Sequence, residues 1–185
     1  AKEQVSSLQH FLAMAGFYCR VISIGSLLNV VPGVGDFSTE SKDDDLVGYY
    51  TERMDAGDKL RGVQKSALAA LAARELRRVR PELIREKIED GSHRGLAFIF
   101  DSLMHPDEEK LLRSLYGSRF FLVSLYQDPK ERERQLRLKP GFPASCRLRG
   151  CAPGSEAASS LVIDLMDRDA GRRAAVHRDA RRVRR

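Results

Sequence analysis

Five consecutive apolar residues, Leu96, Ala97, Phe98, Ile99 and Phe100, end abruptly at Asp101 and Ser102. Nothing else in the chain limits its fold as tightly. An uninterrupted apolar run of this length suits a strand buried on both faces, as in a parallel sheet covered by helices. Asp101 and Ser102 then stand at the carboxyl edge, where open α/β sheets gather their ligands. Pro106 follows in a first-turn position, with Asp107, Glu108 and Glu109 complementing a helix N-terminus. Leu111, Leu112 and Leu115 are expected to face inward, and Gly117 to stop the helix. The run from Phe120 to Tyr126 reads as another strand.

Upstream, Val5, Leu8, Phe11, Leu12 and Ala15 share a helical face that ends at Gly16. Tyr18 to Ile24 has the β-branched bulk of a strand. A glycine- and acid-rich loop is expected over residues 29–45. A long helical region runs from about Leu46 to Arg80, with Gly57 and Gly62 as candidate breaks, and Pro81 is expected to end or kink it. Leu83, Ile84 and Ile88 extend an amphipathic helix to Gly91. Asp128 and Pro129 open a helix over 130–138. Order is expected to fade over 139–158, where prolines and glycines replace apolar periodicity, and Leu161 to Met166 reads as one or two helical turns. Strands separated by helices make this an α/β chain with a parallel sheet flanked by helices.

The net charge of +6 is local. Seven arginines lie in residues 171–185 against the single acid Asp179, which leaves 25 basic and 25 acidic residues elsewhere. Such a tail can bind nucleic acid through counterion release, although a block of like charge more simply reads as an unfolded end. No apolar run reaches the ~18 residues of a membrane span, and no secretory apolar segment is visible, so the expected location is cytoplasmic. Cys19, Cys146 and Cys151 lack a zinc-spaced partner set and are expected as reduced thiols.

Several chemistries are missing from the sequence. No Gly-x-x-x-x-Gly-Lys-Ser/Thr phosphate loop occurs, and Gly33 and Gly35 lack the following lysine. Neither the zinc-deaminase signature nor Gly-x-Ser-x-Gly is present. Asp101, with Ser102 beside it, is the leading candidate for contact with a metal or phosphate; an ordinary strand-end polar residue or a helix N-cap explains it equally well. His105 could reach the same edge and reads more simply as a neighbour of a helix N-cap. Arg53 and Arg61 suit phosphates, and Asp55 and Asp58 a sugar hydroxyl or base; a solvated charged helix face explains the same four residues.

Residues 54–61, the alanine-rich stretch 67–73 and residues 97–126, including Asp-Ser-Leu-Met-His-Pro over 101–106, resemble one known family. It is that of the bacterial deoxycytidylate-deaminase-like proteins, which includes anti-phage dCTP deaminases. The resemblance covers roughly residues 4–138. It implies a P-loop nucleotide-kinase-like domain over 1–138, incomplete at both ends and lacking its first strand and phosphate loop, with a poorly ordered tail over 139–185. It further implies nucleotide binding of a regulatory kind, a deoxycytidine-type ligand and a role in antiviral defence. Zinc would belong to a deaminase domain that this sequence does not contain. On this reading the chain has no catalytic residue or cofactor of its own, its nucleotide-binding residues are Arg53, Asp55, Asp58, Arg61, Asp101 and Ser102, and it would be a fragment with its end in a shifted frame. The alternatives are a nucleoside-monophosphate-kinase-like enzyme with a degenerate phosphate loop and a nucleic-acid-binding protein acting through the tail. An exposed sheet edge would further favour oligomer formation.

Overall fold

The computed structural model describes residues 2–34, 44–152 and 155–168. The arginine block, Gly35 and most of the acidic loop lie outside the described residues. The chain divides into two compact units, one of residues 1–30 and 63–125, the other of 31–62 and 126–185.

The first unit is the α/β part. Helix α1 (Lys2–Met14) ends at Gly16, whose φ of +85° is a conformation that glycine adopts without Cβ strain. Strand β1 (Phe17–Ser23) then pairs in parallel with β2 (Gly95–Asp101). The register runs from Phe17 opposite Gly95 to Ser23 opposite Asp101, and the Arg94 amide leads into it by donating to Gly16 O at 2.7 Å. Short helix α2 (Ile24–Leu27) follows β1 directly. Helix α4 (Ala67–Lys87) packs against both strands and against α5 (Pro106–Tyr116). Ile22, Ile24, Leu28, Leu68, Ala69, Ala72, Val79 and Leu112 form the buried apolar interior of this unit. β1 and β2 therefore form where the sequence indicates, each within one residue of its expected bounds.

Four expectations are corrected here. Among the described residues the sheet has two strands, and Phe120–Tyr126 is not one of them. That run leaves the turn after α5 unpaired, with Phe121 81%, Val123 66% and Tyr126 87% exposed. Its apolar, β-branched composition meets no neighbouring edge, and propensity without a partner forms no ladder. Leu115 is also exposed, at 54%, whereas Leu112 of the same helix is fully buried. Pro81 neither ends nor divides α4, which continues through it to Lys87. The break in the long helical region falls at residues 64–66 instead, just after Gly62, while Gly57 is buried inside a continuous helix.

The second unit is helical. It contains α3 (Leu46–Val63), α6 (Pro129–Arg137), α7 (Phe142–Leu148) and α8 (residues 156–168). Asp128 opens α6 as expected, its Oδ1 accepting the amides of Lys130 (2.9 Å) and Glu131 (3.3 Å). The expected loss of order over 139–158 is overturned by α7 and by a buried cluster of Leu46, Leu136, Phe142, Cys146, Ala158 and Val162. Apolar residues are sparse in this stretch, and the cluster takes only Phe142, Cys146 and Ala158 from it, with Cys151 against its edge, which explains why periodicity did not reveal it. Ser145 is fully buried there, its hydroxyl donating to Gly141 O at 2.7 Å and accepting from the Val47 amide at 3.2 Å. Cys146 and Cys151 are joined in a disulfide rather than standing as separate thiols. The turn after α7 at Gly150 (φ +74°) brings their Cα atoms to 5.1 Å, within the span that a disulfide bridges.

Candidate functional site

The carboxyl ends of β1 and β2 coincide. Ser23 and Asp101 are register partners, so both strands deliver their last residues to one edge. Asp101 turns its carboxylate across that edge, and Oδ1 accepts the Ile24 amide at 3.2 Å. A carboxylate that takes an amide in this way stays oriented, and its bound geometry needs no reordering when a ligand arrives.

Ser102 comes next with φ of +68°, and among the described residues it is the one non-glycine residue with positive φ. A serine held in this region stores strain of about 1–3 kcal/mol, a feature that concentrates at ligand-contacting positions. Its side chain is exposed at the edge.

The connection from Ser102 to α5 is pinned from the helix side. His105 is the N-cap of α5, and its Nδ1 accepts the Asp107 amide at 3.1 Å. An imidazole accepting at Nδ1 carries its proton on Nε2 when neutral. Glu108, completely buried, completes a capping box by accepting the amides of Met104 (2.9 Å) and His105 (3.0 Å) through Oε2. The buried carboxylate is satisfied by these donors, and the four-residue connection gains a defined path. Sequence reading placed His105 beside the cap and missed that it is the cap; His105 followed three residues later by a glutamate was the available signal.

The other four expected residues lie on α3, in the second unit. Arg53 stacks its guanidinium over the Tyr49 ring, 3.6 Å from the centroid, and Nη1 approaches Tyr49 O at 3.5 Å. Asp55 forms an ion pair with Arg168 of α8. Asp58 pairs with Arg61 at 3.7 Å, one turn along the helix. Asp55, Asp58 and Arg61 succeed one another at three-residue intervals, whereas Arg53, two residues before Asp55, projects from a different part of the helix surface. Each of the four has a partner within its own unit. The structure thus groups Asp101 and Ser102 at one edge and the α3 residues in a separate unit. Gly33, the described half of the glycine pair, turns with φ of +70° and accepts from Lys59 Nζ at 2.7 Å through its carbonyl.

Among the described residues no cluster of three or more His, Cys, Asp and Glu is arranged to hold a metal ion. None of their helices is long and apolar enough to cross a membrane. No family model, no curated protein and no solved structure matches the chain.

Proposed function

We propose that this chain is a nucleotide-binding domain of a regulatory kind, acting in the cytoplasm and taking a deoxycytidine-type nucleotide at the carboxyl edge of its parallel strand pair. The observation that carries the reading is the juxtaposition of Asp101, held by the Ile24 amide, with the strained and exposed Ser102 beside it. A carboxylate and a hydroxyl at such an edge match the needs of a hydrated cation on a phosphate, or of a sugar hydroxyl. The resemblance over residues 97–126 to the deoxycytidylate-deaminase-like family supports the same choice of ligand. No residue here is assigned a catalytic role.

Isothermal titration of the purified chain with magnesium-dCTP, dCMP and ATP tests the proposal. Saturable heat with dCTP, lost in Asp101→Asn while the circular dichroism spectrum is unchanged, is the expected result. Absence of saturable heat with all three nucleotides overturns it. The α3 positions are tested separately, because they belong to the other unit: Arg53→Ala and Arg61→Ala are each compared with the wild type. Phosphate transfer from ATP to dCMP would instead establish a kinase-like enzyme.

A further inference from the structure

The helical unit holds a pair of sulfurs that the nucleotide reading does not use. Cys146 is completely buried in the cluster with Leu46, Leu136, Phe142, Ala158 and Val162. Cys151 packs against that cluster from its edge and stays partly exposed. Five positions of sequence separate them, and the turn between them sets the Cα atoms 5.1 Å apart. Of the two residues Cys151 is therefore the more open to solvent, and Cys146 the one enclosed by the cluster. Resolving-cysteine pairs need this asymmetry, in which an outer thiol meets the external reagent and an inner thiol completes the exchange.

We infer that Cys146 and Cys151 form a reversible thiol–disulfide exchange site, with Cys151 as the entry sulfur and small disulfides of the glutathione class as the reagent. In the oxidising direction Cys151 loses its proton and its thiolate attacks one sulfur of glutathione disulfide. The glutathione S–S bond breaks, a Cys151–glutathione bond forms, and the first glutathione leaves as a thiolate that takes up a proton. Cys146, deprotonated in turn, attacks the Cys151 sulfur and displaces the second glutathione. Two cysteine thiols are thereby oxidised by two electrons, and one glutathione disulfide becomes two glutathione thiols. Reduction runs through the same mixed disulfide in reverse.

Short sequence separation argues for reversibility. A disulfide stabilises largely by removing freedom from the unfolded chain, and a loop this short removes little. An accessible sulfur adds a route for reduction that a fully buried bridge lacks. The consequence reaches beyond α7, since Gly141 O accepts the Leu46 amide at 3.4 Å and Ser145 Oγ accepts the Val47 amide. The helix carrying Cys146 is thus bonded to the first turn of α3.

The test equilibrates the full chain in glutathione buffers of graded redox ratio, followed by native alkylation and peptide mass spectrometry. The peptide holding both cysteines should pass from doubly alkylated to unmodified as the oxidised share rises, and back again on reversal. Cys19→Ser should leave that titration unchanged. Cys146→Ala should accumulate one glutathione on Cys151, and Cys146 of Cys151→Ala should react with glutathione disulfide at least tenfold more slowly than Cys151 does. The wild-type titration decides the matter if either alanine variant fails to fold. Full alkylation at every ratio overturns the inference, as does a bridge that survives fully reduced buffer or glutathione found on Cys146 in the wild type.

Discussion

Asp101 accepts the amide of Ile24 at 3.2 Å, although 77 positions of sequence separate them. That bond closes the carboxyl end of the strand pair, joining the first residue of α2 to the last residue of β2. A carboxylate doing this serves two purposes at once, holding the edge together and presenting negative charge there. Replacing it with alanine removes both, so Asp101→Asn, which retains an acceptor, is the informative variant for binding.

Ser102 carries the strain of this edge. Ser102→Gly should stabilise the chain by about 1 kcal/mol, because glycine occupies positive φ without a Cβ clash. Urea unfolding followed by circular dichroism reads this as a higher midpoint at unchanged slope. If the hydroxyl contacts the ligand, the same variant weakens nucleotide binding while gaining stability. An unchanged or lower midpoint contradicts the assignment of strain.

Ser145 makes the opposite case, a buried polar group that is fully satisfied. Ser145→Ala strips a partner from both the Gly141 carbonyl and the Val47 amide. The expected loss is about 1–3 kcal/mol, the cost of taking the Ser145 acceptor from the buried Val47 amide, while Gly141 O keeps the Leu46 and Ser145 amides. Thermal unfolding of the variant beside the wild type measures it, and no change would show that the cluster repacks.

The sequence made the α/β unit legible because its signals are local and strong. Leu96–Phe100 is a continuous apolar run, and Pro106 with three following acids is a helix start that tertiary packing has no reason to overrule. Phe120–Tyr126 had the same composition as a strand, but a ladder depends on an adjacent edge, which composition does not encode. The cluster around Phe142 and Cys146 escaped notice for the converse reason: its apolar residues are few and gather from α3, α6, α7 and α8. At the candidate site, Asp101 was legible from its place after the strand. Its bond to Ile24 and the positive φ of Ser102 were not, since both are properties of the folded path.

The unpaired run after α5 should make the chain associate. Phe121, Leu122, Val123, Leu125 and Tyr126 are all at least half exposed, and residues 120–126 contain no charge or proline. Runs of this kind add to one another edge to edge. Sedimentation velocity should show species larger than a monomer that grow with concentration, and Val123→Lys should shift them toward monomer. A wild type that stays monomeric at every concentration contradicts this.

Acid should loosen helix α6. The Arg134 guanidinium, helped by the Gln135 amide, draws the Glu131 carboxyl down to about 2. A carboxyl whose folded value is depressed supports the fold above its unfolded value, roughly 4.3. That support is lost as the pH falls from there through about 2. Arg134→Ala should raise the Glu131 midpoint toward ~4.3 in a carbon-detected NMR titration. A midpoint unmoved by the substitution would remove the ion pair as its cause.

The amide resonances of Ser23, Ile24, Asp101 and Ser102 provide the most direct test of the nucleotide site. Titrating the ¹⁵N-labelled chain with magnesium-dCTP should shift these four together, along one saturating curve, with Asp101→Asn abolishing the change. Saturating shifts confined to other residues, or none anywhere, would contradict a nucleotide site at the carboxyl edge of β1 and β2.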